Sequence, residues 1–137
     1  MGHLLFLPFS PNTEIILLTT LPITQLVLQG SAEFDELNSS YLSVLDNDIT
    51  PECIFRPKTM EGVSTFLQTT GSFAGSEGVR LEIRGGGQQP LPVCANIENN
   101  ITLDLRLLTG VEVKDDIVSI AAGERWENAY DAGRYRP

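Results

Sequence analysis

The chain has 137 residues and a formal net charge of −9, with 42% hydrophobic and 20% charged residues. That length suits one domain able to bury roughly two-thirds of its unfolded surface. The acidic balance excludes a nucleic-acid surface, which needs clustered Lys and Arg, whereas Arg80, Arg84 and Arg106 are scattered and suffice at most to offset a single bound diphosphate.

Every Lys and Arg lies at or after Arg56, so the apolar opening Leu4 to Phe9 lacks the positive flank of a secretory signal. Glu14 interrupts it before Ile15 to Leu18 resume, and no run reaches the roughly 18 to 20 apolar residues of a membrane span. Residues 1–31 keep neither the strand nor the helix period and are read as an unplaced leader or a divergent N-terminus. From Ser31 the pattern firms. Phe34, Leu37, Tyr41 and Leu42, with Leu45 beyond, fall at helical spacing, although Asn38-Ser39-Ser40 weakens that helix.

Cys53 to Arg56 predicts a short strand closed by Pro57, which has no N–H to continue a ladder. Thr59 then reads as an N-cap, and Val63, Phe66 and Leu67 form the apolar stripe of a helix running to about Thr70. The glycine-rich link Gly71 to Gly78 ends it, and Val79 to Arg84 alternates as the next strand. Strand, helix and strand make a βαβ unit with a right-handed crossover. Further on, Ile101 to Leu105 alternates as a strand, and Val111 to Val113 and Ile117 to Ile120 flank a solvated hairpin tip at Lys114-Asp115-Asp116. Gly123 breaks the chain before a short helix over Arg125 to Ala132. There Trp126 and Tyr130 sit four residues apart, as core or interface aromatics would. The predicted class is α/β (α+β), with antiparallel strands following the βαβ unit.

The segment around which these elements are arranged is Gly85-Gly86-Gly87, at the carboxyl end of the second strand of the βαβ unit. Open α/β sheets place ligands at such ends. A side-chain-free turn exposes successive N–H groups able to wrap a pyrophosphate. Glycine turns after strands also serve as plain connections, and this one is neither a G-x-G-x-x-G fingerprint nor a P-loop. The residues alone offer no catalytic constellation. His3 is isolated, Cys53 and Cys94 lack zinc-site spacing, and Asp104, Asp115, Asp116 and Glu124 read as ordinary surface acids. Catalysis therefore has to come from a cofactor.

In order and spacing, the run from Ile49 to Ala132 resembles the first part of the flavin-binding domain of FAD-linked oxidoreductases. The resemblance is to the p-cresol methylhydroxylase and vanillyl-alcohol oxidase type, berberine-bridge-enzyme-like branch. It rests on ITPECIFRPKTMEGVSTFLQ, VRLEIRGGGQQP, CANIENNITLDLRLL and VSIAAGERWENAYDA. It implies FAD, held by Arg84, Gly85, Gly86, Gly87, Gln88 and Gln89. In the family a His follows the glycines and bonds covalently to the flavin; here Gln88 takes that position. A carboxamide nitrogen is no useful nucleophile, so non-covalent binding is expected. Relatives also pair a cysteine at the position of Cys53 with one nearer the N-terminus, and no upstream cysteine exists here.

The implied domain division is 1–31 as leader, 32–132 as a partial FAD-binding domain and 133–137 as a tail outside the family pattern. Relatives continue into the second half of the flavin domain and a substrate domain that supplies the catalytic base. The chain alone is thus expected to be a truncated, inactive piece, with a small-molecule substrate only in a complete enzyme. Three readings compete: part of an FAD-linked oxidoreductase, a noncatalytic nucleotide-binding remnant, and a ligand-free α/β domain. Localisation stays open between secretion, which the resemblance and the sequons Asn38-Ser39-Ser40 and Asn100-Ile101-Thr102 suggest, and the cytoplasm, which the missing signal suggests.

Overall fold

The computed structural model describes residues 19–72 and 79–134. The apolar opening and His3, residues 73–78 of the predicted glycine-rich link, and residues 135–137 of the predicted tail lie outside the described residues. A 3₁₀ turn, Ile23–Gln25, leads into β1 (Leu26–Leu28), followed by α1 (Ala32–Asn38), α2 (Val44–Asn47), β2 (Cys53–Phe55), α3 (Met60–Gly71) and β3 (Leu81–Arg84). After these come β4 (Ile101–Asp104), the hairpin β5 (Val111–Lys114) and β6 (Ile117–Ile120), and α4 (Trp126–Arg134).

The main sheet has the order β1-β2-β4-β3, with β1 antiparallel to β2 and the other three strands mutually parallel. The βαβ unit is present, but β4 slots between its two strands instead of following them. Its position explains its burial: all four β4 residues are buried, whereas β3 at the edge is only partly covered. β2 carries the core on both faces by simple alternation. Cys53 and Phe55 face Phe66, Val79, Ile101 and Leu103, while Ile54 joins Val27, Phe34 and Leu37. The Phe55 and Phe66 rings stack 4.6 Å apart and fix α3 on the sheet.

Local chemistry sets the helix starts. Thr59 caps α3 as expected, its hydroxyl accepting from Gly62 N–H at 3.1 Å, and Ser31 caps α1 from Phe34 N–H at 3.2 Å. The helix expected from Phe34 to Leu45 is two short pieces. Phe34, Leu37 and Tyr41 are buried, but Leu42 and Leu45 are exposed. The segment that showed no period supplies β1 and the core residue Leu21. At the hairpin tip Asp115 and Asp116 both have positive φ, as a two-residue type I′ turn requires. Both sequon asparagines are tied into the fold: Asn38 Nδ2 donates to the carbonyls of Asn47 and Ile49, and Asn100 Oδ1 accepts from Arg80 N–H. Among the described residues no helix is long and apolar enough to cross a membrane.

Burial pushes the Cys53 thiol and the Tyr41 phenol from 9.0 and 10.0 up to about 12. The folded chain therefore holds these two protons more tightly than the unfolded chain. The resulting stability is intact below pH 9.0 and shrinks as the unfolded groups ionise, until it is lost as pH passes about 12. The thermal midpoint is expected to fall steadily above pH 9.0, with Cys53→Ala flattening the first part of the fall. A midpoint that stays level through this range contradicts the assignment.

Candidate functional site

The glycine turn leaves β3 at the carboxyl end of the parallel strands, beside the end of β4. Its three glycines do different things. Gly87 has φ +69°, and a Cβ there would lie 2.7 Å from Arg84 Nε, so both backbone and space require glycine. A Cβ on Gly85 would come within 3.1 Å of the Ala122 carbonyl oxygen, while one on Gly86 would meet only Gln88 Cγ at 3.8 Å. Among the described residues, none accepts a hydrogen bond from the N–H of Gly86, Gly87, Gln88 or Gln89. Four consecutive backbone donors are thus free for a ligand.

Arg84 lies beneath this turn and does not line the open face. Its guanidinium is buried, donating to the Leu37 carbonyl at 2.8 Å and the Ser40 carbonyl at 2.7 Å, with Cζ 3.5 Å from the Tyr41 ring centroid. Burial holds its pKa below the ordinary arginine value. The Gly87 carbonyl accepts from Leu42 N–H at 3.1 Å, which ties the turn to the same loop. Arg84 is therefore the support on which the turn rests.

Tyr41 continues the support to the opposite wall, its hydroxyl donating to the Ala95 carbonyl at 3.0 Å. Asn96, fully buried, holds that wall from behind. Its Nδ2 donates to Asn38 Oδ1 and to the carbonyls of Asp46 and Ile49, and its Oδ1 accepts from Thr102. Val93, a β-branched residue at φ 64°, is held by its N–H bond to Asp46 Oδ1 at 3.0 Å.

Between turn and wall opens a cleft of about 360 Å³ lined by Gly85 to Gln89, by Cys94 and Ala95, and by Glu124, Arg125 and Trp126. The sequence reading placed the glycines and both glutamines here but missed the contribution of the chain after Gly123. Trp126 and Tyr130 are 69% and 67% exposed, so they are not core aromatics; their rings contact each other at 6.0 Å, and Trp126 stands on the cleft rim. The signal that could have found them is Gly123, whose missing Cβ lets the chain turn back over Leu105 and Arg106.

Asp104 corrects a second expectation. Read as a surface acid, it is completely buried at the end of β4 and accepts from Arg106 Nε at 2.9 Å and Nη2 at 2.7 Å. Arg56 Nε lies 3.4 Å from the same carboxylate, an ion pair without a hydrogen bond, and Arg56 also pairs with Glu33 at 3.2 Å. Arg84 and Arg106 meet at Ser40, whose hydroxyl accepts from both, so these two arginines are neighbours in space.

No protein-family model matches the chain. Among curated proteins it is 27% identical over 109 residues to the FAD-dependent monooxygenase CTB5 of Cercospora beticola, covering 77% of this chain and 21% of that protein. It is 32% identical over 88 residues to the FAD-dependent monooxygenase prx3 of Penicillium roqueforti, covering 59% of this chain and 16% of that protein. The chain resembles the flavin-binding part of FAD-linked oxidoreductases. Its fold is also that of the berberine-bridge-enzyme-like proteins. BBE-like 1 of Physcomitrella patens superposes with a TM-score of 0.67 at 15% identity over 88% of this chain and 25% of its own. Phl p 4, a grass pollen allergen with glucose dehydrogenase activity, gives 0.68 at 15% identity over 88% and 26%. The chain spans only 21% and 16% of the length of these curated relatives. Both of these curated relatives are FAD-dependent by name.

Proposed function

We propose that this chain is the FAD-binding portion of an FAD-linked oxidoreductase acting on a small organic substrate, and that it holds the flavin without a covalent bond. The observation that carries this reading is the row of uncommitted N–H groups from Gly86 to Gln89, opening into a cleft at the carboxyl end of a parallel strand. Those donors suit the diphosphate of a dinucleotide, which needs several converging hydrogen bonds and close backbone approach. The cleft stands near the lower end of ordinary ligand pockets, about 300 to 1,000 Å³, so it takes the diphosphate and its surroundings and not the whole of FAD.

Bound FAD would supply the redox chemistry by accepting a hydride from the substrate. The chain's own contribution is placement. Gly87 keeps the turn in its positive-φ conformation, Arg84 and Tyr41 fix the turn against the Ala95 wall, and the glycine surfaces let the ligand approach the backbone. Gln88 is exposed on the cleft wall, where the resembling family places the His that tethers the flavin. Its amide nitrogen lone pair is delocalised and forms no such bond.

Flavin-loaded protein precipitated with acid is expected to leave its yellow colour in the supernatant, and Gln88→His is the change that could restore a tether. Colour retained in the wild-type pellet contradicts the non-covalent reading.

A further inference from the structure

A diphosphate brings about two negative charges to a chain that already carries −9, and the cleft it would enter includes the Glu124 carboxylate. Backbone N–H groups supply only partial charges, so a nearby cation would strengthen the hold on a diphosphate. The arginines at the carboxyl end of the sheet are committed elsewhere: Arg84 to the carbonyls of Leu37 and Ser40, Arg106 to Asp104, and Arg56 to Asp104 and Glu33. Arg125 differs. It lines the cleft with the glycine turn, is exposed, and makes no ion pair with any described residue.

Its backbone is also fixed. Glu124 Oε1 accepts from Arg125 N–H at 3.0 Å and from the Asn128 side chain, while Oε2 accepts from Gly110 N–H at 2.8 Å. These bonds, that from Asn128 first, hold the Glu124 carboxyl below the usual carboxylate range, and they occupy the acid with the chain around it. The one acid in the wall thereby anchors the one arginine.

Resting on the FAD-binding reading above, we propose that Arg125 is the charge-neutralising residue of this site, placing its guanidinium on the cofactor's diphosphate across the cleft from the Gly86 to Gln89 amides. A planar guanidinium suits a diphosphate because it offers two parallel N–H donors to adjacent oxygens, which an ammonium cannot do.

The test is titration calorimetry of the full chain with FAD, ADP and riboflavin at low and raised salt, with Trp126, the chain's single tryptophan, as a fluorescence reporter on the same cleft. Arg125→Gln is expected to weaken FAD and ADP binding about 10- to 100-fold, to reduce the salt dependence of both, and to leave riboflavin, which has no phosphate, unchanged. Arg125→Lys should recover part of the loss. Thermal midpoints of both variants should match wild type, since Arg125 has no ion pair to lose among the described residues. Equal FAD affinity in wild type and Arg125→Gln overturns this proposal and leaves the FAD reading standing. Equal losses for riboflavin and FAD overturn it as well, because the residue then acts on the cleft's shape and not on the diphosphate. No FAD binding by the wild-type chain overturns both.

Discussion

Asp104→Ala is expected to destabilise the fold by about 3–5 kcal/mol, a large fraction of the roughly 5–15 kcal/mol available to a domain of this size. The carboxylate is fully buried and is the counter-charge for two arginines whose side chains are themselves only 17% and 19% exposed. Removing it leaves Arg106 and Arg56 largely shielded from water. Arg56 keeps only Glu33, and the Arg106 N–H loses the Asp104 Oδ1 that it bonds at 3.0 Å. Asp104→Asn should cost less, because an amide oxygen can still accept from one of these donors while the charge balance is lost. Urea unfolding of the two variants beside wild type measures the ranking. A loss below about 1 kcal/mol for the alanine variant, the range of an exposed ion pair, contradicts the account.

Gly123→Ala carries the second large effect. A Cβ at this position would run into the Leu105 carbonyl oxygen and lie 2.7 Å from Arg106 Cα, and both obstacles are backbone. The 121–125 turn can make room only by moving away, against the Gly123 N–H bond to the Leu108 carbonyl at 3.0 Å. Overpacking usually costs about 1–3 kcal/mol, and a clash with backbone belongs at the top of that range. The movement would also carry Arg125 and Trp126 out of the cleft wall. Thermal melts should show the drop in Gly123→Ala and little change in Gly86→Ala, where the added Cβ meets only Gln88 Cγ at 3.8 Å. Similar midpoints for the two variants would mean that the turn yields more easily than its packing implies.

The elements that local chemistry determines were legible in the sequence. The Thr59 cap and the glycine turn after β3 depend on a few adjacent residues and came out as expected, as did the hairpin, whose expected tip Lys114-Asp115-Asp116 is trimmed to Asp115 and Asp116 because Lys114 ends β5. What depended on distant partners did not. Thr102 and Asp104 alternate with apolar residues along β4, a pattern that ordinarily marks a half-exposed strand, yet both are buried because Asn96 and Arg106 satisfy them. Arg84 sits next to the glycines in sequence, but its guanidinium turns inward to carbonyls 44 and 47 residues earlier. β1 is too short to show a period, and its place follows from pairing with Cys53 to Phe55. On the site, the near wall was readable from the glycines. The far wall at Glu124 to Trp126 required the hairpin to fold back, and Trp126, expected among core or interface aromatics, stands outside the core and lines the cleft.

Amide-resolved NMR of isotopically labelled protein titrated with FAD tests the central claim most directly, because it reads the free N–H groups themselves. The amide signals of Gly86, Gly87, Gln88 and Gln89 are expected to shift most, saturably, with smaller changes at Arg125 and Trp126. ADP should reproduce the shifts in the glycine turn. Saturable FAD binding that leaves those four amides in place, or no binding at all, would contradict the account.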